Sequence, residues 1–213
     1  MQLQLQSCSV GFMPTNCYVG KDIVSGQSFV VDPGWFDDSL VQALHALKIT
    51  TLDYILLTHG HHDHILGLCP LQEQYGGKIV MHEKEEAFLK DDILSFRRSF
   101  QSDLPHVEHA DILVNDGDTL PFGDSWIQVL FTPGHTRGSV CYLLEDYMFS
   151  GDTVFLESVG RTDLPTGNML QLLMSVRKIG ALEREFQILP GHGEATTLSH
   201  EKKYNPYFSK NRG

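Results

Sequence analysis

Basic residues are scarce in this chain: 16 lysines and arginines stand against 27 aspartates and glutamates, a formal charge of −11. Nucleic acid and anionic membrane both reward basic surfaces, so neither is expected as the main partner. No apolar run approaches membrane-spanning length. The N-terminus, Met1-Gln2-Leu3-Gln4-Leu5-Gln6, lacks a charged segment followed by an apolar core. A cytoplasmic protein is the expectation. The cysteines are few (Cys8, Cys17, Cys69 and Cys141), and none has Cys-x-x-Cys spacing. They read as reduced, mostly packed thiols, with disulfides the less favoured alternative. Fixed-period repeats, low-complexity tracts and Pro-, Gly- or Ser-rich linkers are also missing, so residues 1–213 read as one domain.

What is present is an ordinary globular composition, 41% apolar and 20% charged, on a chain long enough to bury a substantial core. Alternation over residues 2–6 predicts a half-buried strand, and Phe29-Val30-Val31 predicts another, ending in the turn Asp32-Pro33-Gly34. Asp37-Asp38 opens a helix with Leu40, Val41, Leu44 and Leu47 as its buried stripe. Tyr54–Leu57 is a buried strand, residues 65–74 a helix and residues 78–81 a strand, an α/β alternation. Residues 82–100 look helical, with their Glu and Lys side chains on a solvated face. Further on, residues 126–131 and 186–189 read as strands, 140–144 with 147–149 as a hairpin, and 169–179 as a helix.

The chemistry concentrates in Thr58-His59-Gly60-His61-His62-Asp63-His64, directly after the Tyr54–Leu57 strand. Side chains two apart on extended chain share a side, so His59 and His61 can reach one metal ion together. Asp63 and His64 lie where the chain turns into the next helix, off that line and towards a second ion. His62 points away from the side that His59 and His61 share. Imidazoles with a carboxylate make a poor core and a good ligand set for a divalent transition metal. Three more polar residues follow apolar strands in glycine-bearing turns: His135 in Thr132-Pro133-Gly134-His135, Asp152 in Ser150-Gly151-Asp152, and His192 in Pro190-Gly191-His192-Gly193. Glycine lets the chain turn tightly and set one polar side chain at a strand end. Alone, each tripeptide would be no more than a turn; with the His-rich loop they point to one cluster.

The ordered set His59, His61, Asp63, His64, His135, Asp152, His192 resembles the metallo-β-lactamase superfamily, most of all its glyoxalase II-like hydrolases. The likeness runs from Asn16-Cys17-Tyr18 to Asn205-Pro206-Tyr207-Phe208. It implies an α/β fold, an αββα sandwich of two mixed β-sheets flanked by helices, with the metals at one edge. It also implies that His59, His61 and His135 hold one ion, that Asp63, His64 and His192 hold the other, and that Asp152 bridges them with a water or hydroxide. Zinc is the first expectation for the two divalent ions, with iron or manganese as alternatives. His45, His62, His82, His106, His109 and His200 match no motif and are expected to be surface or structural.

Two divalent ions about 3.5–4 Å apart lower the pKa of a shared water to near neutrality and clamp attacking and departing atoms. The bridging hydroxide is then the nucleophile, and Asp63 is the candidate catalytic residue that orients it or takes its proton. Ligating imidazoles usually donate their other N–H to an oxygen, a role expected of Thr58 and Asp32. The short segment after His192, residues 193–213, is too small for the helical extension with which glyoxalase II proper grips glutathione. Gly160-Arg161-Thr162-Asp163-Leu164-Pro165 resembles the short, single-domain group instead. Arg161 is either a substrate-binding residue or a brace paired with Asp163. A small-molecule thioester is the expected substrate. The alternatives are a mononuclear iron persulfide dioxygenase, using His59, His135 and Asp152, and a non-thioester metallohydrolase or nuclease of the same superfamily.

Overall fold

The computed structural model describes residues 1–97 and 105–209. One sheet has the order β1 (Leu3–Val10), β2 (Thr15–Asp22), β3 (Ser28–Val31), β4 (Tyr54–Leu56), β5 (Lys78–His82), β6 (Ile112–Val114). Its first two pairings are antiparallel and the rest parallel. In the second, β14 (Thr196–Thr197) pairs β13 (Gln187–Pro190), followed by β10 (Tyr147–Gly151), β9 (Val140–Leu144), β8 (Ser125–Phe131) and β7 (Thr119–Phe122). There β10 and β13 are parallel and the other pairs antiparallel. A short hairpin, β11 (Val154–Phe155) with β12 (Ser158–Val159), stands apart from both sheets.

The period of two along each strand divides the apolar residues between layers. Phe29, Val31, Tyr54, Leu56 and Val80 meet Phe122, Ile127, Val129, Tyr142 and Phe149 between the sheets. Phe29 sets its ring edge-on to Phe122 and Phe149, with centroids 5.2 and 5.6 Å away. Burying each such ring stabilises the sandwich by roughly 2–3 kcal/mol. The alternate residues Val30, Ile55, Ile79 and Met81 face outward onto Leu40, Leu44, Leu68 and Leu71. Those leucines come from α1 (Asp38–Ala46) and α3 (Leu68–Tyr75). On the far side, Cys141, Met148 and Ile188 pack on Leu172, Val176 and Ile179 of α4 (Met169–Gly180) and on Leu198. Leu198 opens α5 (Leu198–Tyr204), and α6 (Pro206–Ser209) follows it. The layers are thus helix, sheet, sheet, helix, the αββα arrangement expected from the sequence.

Three local readings change. Strand β2 has no counterpart in the alternation pattern, because both its faces are covered: Cys17 and Val19 lie in the outer core, Tyr18 between the sheets. The helix expected at 65–74 is two helices, α2 (His62–Ile65) and α3. Gly67 N–H leaves the helical ladder to donate to Pro33 O at 2.8 Å, which ends the first helix. Within 82–100 the structure has a 3-10 helix, Glu83–Leu89, with turns after it; the part from 98 onward lies outside the described residues. Among the described residues no helix is long and apolar enough to cross a membrane.

Candidate metal centre

Strand direction explains why the polar turns meet. β3, β4 and β5 run parallel, so the turns after β3 and β4 leave the first sheet at one edge. In the second sheet β8 is antiparallel to β9, and β9 to β10, so β8 runs with β10 and its parallel neighbour β13. The turns bearing His135, Asp152 and His192 therefore also leave from one edge. The two edges are joined directly: Val140 N–H donates to Thr58 O at 2.9 Å, and the Tyr142 hydroxyl to Leu57 O at 3.0 Å.

All seven predicted residues come together there. His59, His61 and His135 offer one group of ligand atoms within 4.8 Å of one another, and Asp63, His64 and His192 offer another. Asp152 lies between the groups: Oδ1 is 3.5 Å from His64 Nε2, and Oδ2 is 3.5 Å from His135 Nε2 and 3.7 Å from His192 Nε2. His59, His61, His64 and His135 are buried. The side chains of Asp63 and Asp152 retain 12% exposure and that of His192 28%, so the cluster opens to solvent on this side.

The surrounding oxygens assign a proton to each outward nitrogen. The Thr58 hydroxyl donates its one hydrogen to Asp32 Oδ2 at 2.7 Å, so its oxygen is left to accept from His59 Nδ1 at 3.1 Å. His64 Nδ1 donates to Asp32 Oδ2 at 2.9 Å, His135 Nδ1 to Arg161 O at 2.7 Å, and His192 Nδ1 to Pro14 O at 2.9 Å. Each of these four rings is thereby turned with Nε2 inward. His61 is the exception, setting Nδ1 2.9 Å from His135 Nε2. Asp32, His59 and His64 also converge. The Asp32 oxygens, however, already accept Thr58 N–H, the Thr58 hydroxyl and His64 Nδ1–H, so this group supports the rings.

Buried polar groups are almost always hydrogen-bonded. Here Nε2 of His59, His61 and His64 and Oδ1 of Asp152 are buried with no partner. Imidazole nitrogens facing inward around a shared carboxylate, Nε2 of His59 and His64 and Nδ1 of His61, are the ligand types a divalent cation takes, so the residues fit such an ion. Charge points the same way. Burial, and then the neighbouring imidazoles, keep His59 well below the usual histidine range, while burial and His135 push His61 down to about 2. Burial opposes charge on His64, but the Asp32, Asp63 and Asp152 carboxylates outweigh it and raise its pKa to about 10. Asp63 is held below the usual carboxylate range by His64 and His192 despite its burial. The carboxylates thus demand positive charge at the centre of the cluster.

Of the two residues expected to orient imidazoles, Thr58 serves His59 and Asp32 serves His64. His62 turns away, as expected, with Nδ1 3.3 Å from Ser95 O. The Arg161 guanidinium makes two 2.7 Å bonds to Asp163 and is exposed; what reaches the cluster is its backbone carbonyl, on His135. Two supports were invisible in the sequence. Asn16 spans the His192 turn, donating from Nδ2 to Pro190 O and Gly193 O at 3.0 and 2.9 Å. Glu85, expected on a solvated face, is completely buried and accepts from Gly60 N–H and Gly138 N–H at 2.9 and 2.8 Å. Burial pushes its carboxyl up to about 7 against those bonds.

Known proteins share the sequence pattern and the fold of this chain. Residues 10–192 match the family model described as the metallo-beta-lactamase superfamily. A Bacillus subtilis protein described as "Probable metallo-hydrolase YqgX" is 34% identical over 203 residues, covering 94% of this chain and 95% of its own. The crystal structure of the B3 metallo-beta-lactamase BLEG-1 superposes with a TM-score of 0.88 at 32% identity, covering 97% of this chain and 100% of that one. TTHA1623, crystallised in a di-iron-bound form, has a TM-score of 0.83 at 30% identity, with 95% and 99% covered. With a match over most of its length and relatives above 30% identity across nearly the whole chain, this protein belongs to the metallo-beta-lactamase superfamily.

Proposed function

We propose that this chain is a dinuclear metal-dependent hydrolase that cleaves a small-molecule thioester, of the short glyoxalase II-like kind, working as a single domain in the cytoplasm. The observation that carries the dinuclear reading is the pair of ligand groups on either side of Asp152, with Nε2 of His59 and His64 and Oδ1 of Asp152 left without a hydrogen-bond partner. In this reading His59, His61 and His135 would hold one ion, Asp63, His64 and His192 would hold the other, and Asp152 would serve both. The imidazole-rich, thiolate-free donor set suits zinc, with iron or manganese as substitutes. The di-iron form of TTHA1623 is in line with two ions in such a fold. When bound, the cations supply Lewis acidity and bring a water's pKa close to neutrality.

The chain's own groups do the rest. Asp32, Thr58, Arg161 O and Pro14 O hold four imidazoles in one tautomer, so no rearrangement is needed at turnover. Asp63 sets Oδ2 3.2 Å from His192 Nε2 and Oδ1 3.8 Å from His62 Nδ1, and its partly exposed carboxylate is the group placed to orient the attacking water or take its proton. The open side at Asp63, Asp152 and His192 is where a substrate carbonyl enters. Arg161, already paired with Asp163, braces that rim and meets a substrate carboxylate only by releasing its partner. The thioester assignment rests on the likeness of residues 160–165 to the short glyoxalase II-like group.

The test is metal analysis of the purified protein together with a thioester panel that includes S-lactoylglutathione. Two equivalents of metal and thiol release from at least one member are expected. A protein that carries two ions but hydrolyses no thioester refutes the substrate class. One that consumes oxygen with glutathione persulfide, carrying a single iron, refutes the hydrolase.

A further inference from the structure

We propose that Glu85 is a positioning residue that selectively supports the His59–His61–His135 side of the centre by tying its two loops together. The inference rests on the reading of that cluster as a metal centre. The 3-10 helix Glu83–Leu89 follows β5 and lies over the loops after β4 and β8. Glu85 divides its carboxylate between them. Oε2 accepts from the N–H of Gly60, the residue between His59 and His61, and Oε1 accepts from the N–H of Gly138, just beyond His135.

Neighbouring contacts of the same helix repeat the pattern. The Phe88 ring lies 6.1 Å from the His61 ring, edge to face, and a Cβ on Gly60 would collide with Phe88. Arg137 donates from Nε to Lys84 O at 2.9 Å and sets its guanidinium over Phe88, 5.7 Å from the ring centroid. Both loops are therefore seated on one short helix, and the fully buried carboxylate at its centre hydrogen-bonds to both. His64 and His192 take their support elsewhere: His64 from Asp32, and the His192 turn from Pro14 and Asn16.

A buried carboxylate is expensive to keep, and here its oxygens accept from two backbone donors that belong to different metal-bearing loops. Glutamine has nearly the same shape but only one acceptor oxygen. Its NH2 must then face one of the two backbone N–H groups, donor against donor, and one loop is released. Loss of a partner that orients ligands typically lowers metal affinity 10–100-fold. That loss should fall on one ion.

The experiment is a zinc titration of the full chain against a chromophoric chelator, for wild type, Glu85→Gln and Glu201→Gln, with the cobalt absorption spectrum recorded for each. Glu201 is also fully buried, but its carboxylate serves Thr196, Asn205 and the Glu157 N–H, and so controls for the loss of any buried carboxylate. The expected result is two sites in wild type and in E201Q. In E85Q one site is weakened at least tenfold, with a changed cobalt spectrum, and the second is kept. Two wild-type affinities in E85Q, or equal weakening in E85Q and E201Q, overturn the proposal. A wild-type chain that takes up neither metal overturns instead the reading of the cluster on which the proposal stands. If E85Q does not fold, Glu85→Asp, which retracts the carboxylate by one methylene and keeps its charge, is judged by the same criteria.

Discussion

Asp32→Asn isolates one charge in the support of the centre while leaving the backbone undisturbed. Asp32 sits at φ 50°, in the left-handed region that asparagine tolerates about as well as aspartate, so the substitution adds no strain. The carboxylate it removes is buried and accepts three hydrogen bonds: Thr58 N–H on Oδ1 at 2.8 Å, and the Thr58 hydroxyl and His64 Nδ1–H on Oδ2 at 2.7 and 2.9 Å. The amide oxygen can keep Thr58 N–H, which places NH2 opposite both the Thr58 hydroxyl and His64 Nδ1; the hydroxyl oxygen, with two lone pairs, can accept from it and still accept from His59 Nδ1, but His64 Nδ1–H cannot accept. Two N–H groups cannot face each other there, so the ring moves its proton to Nε2. That is the nitrogen which lies inward, 3.5 Å from Asp152 Oδ1 and 3.8 Å from Asp63 Oδ2. A protonated Nε2 cannot bind a cation.

The loss is that of an outer partner, about 10–100-fold in affinity, or roughly 1.4–2.8 kcal/mol. On the dinuclear reading proposed above, it should fall on the ion that Asp63, His64 and His192 would hold. Competition with a chromophoric chelator reads the two affinities separately, and D32N should retain one strong site and weaken the other. Loss of the charge-assisted bond also lowers stability by about 1.5–3 kcal/mol, visible in urea unfolding of the metal-stripped protein. Two sites of wild-type affinity in D32N would refute the assignment of His64 Nδ1 as donor, and with it the inward direction of Nε2.

Asp152→Ala should reduce bound metal below two equivalents and lower hydrolysis by more than the roughly 100-fold that losing a mere supporting partner costs; near-normal turnover with two ions contradicts its bridging place. At Gly134, φ is +141° and a Cβ would collide with the backbone N of Leu172 at the start of α4. Gly134→Ala should therefore cost about 3 kcal/mol or more. Gly117→Ala, at φ +83° with nothing near its Cβ, should cost only about 1–2 kcal/mol, and equal melting temperatures for the two would discount the collision. Burial holds the Glu85 carboxyl at about 7, above its ordinary 4.5. The folded chain then keeps a proton that the unfolded chain has lost between those values, so stability falls as pH rises from 4.5 to 7. The fall is roughly 3 kcal/mol, measured in excess chelator, and E85Q should lack it; parallel pH profiles for the two would locate the slope elsewhere.

The parts of the centre that were legible in the sequence are those whose chemistry is local. His59, His61, Asp63 and His64 declare themselves by spacing, and His135, Asp152 and His192 by glycine turns after apolar runs. Glu85 is not of this kind. Its identity favours a solvated face, and only the close approach of Gly60 and Gly138, 25 and 53 residues away, makes it an internal strap. Pro14 and Arg161 act on His192 and His135 through backbone carbonyls, which carry no mark of side-chain identity. Strand β2 escaped for a related reason: packed on both faces, it shows no alternation, yet its Asn16 and Tyr18 hold the His192 turn through Pro190 O. The candidate ligand set is thus a property of short sequence, whereas the tautomers and loop positions that would make it competent are properties of the closed sandwich. It follows that a chain with every candidate ligand intact could still bind metal poorly if the packing of Glu85 or Asp32 were disturbed. The paired losses expected of E85Q and D32N, each on a different ion, put that separation to the test.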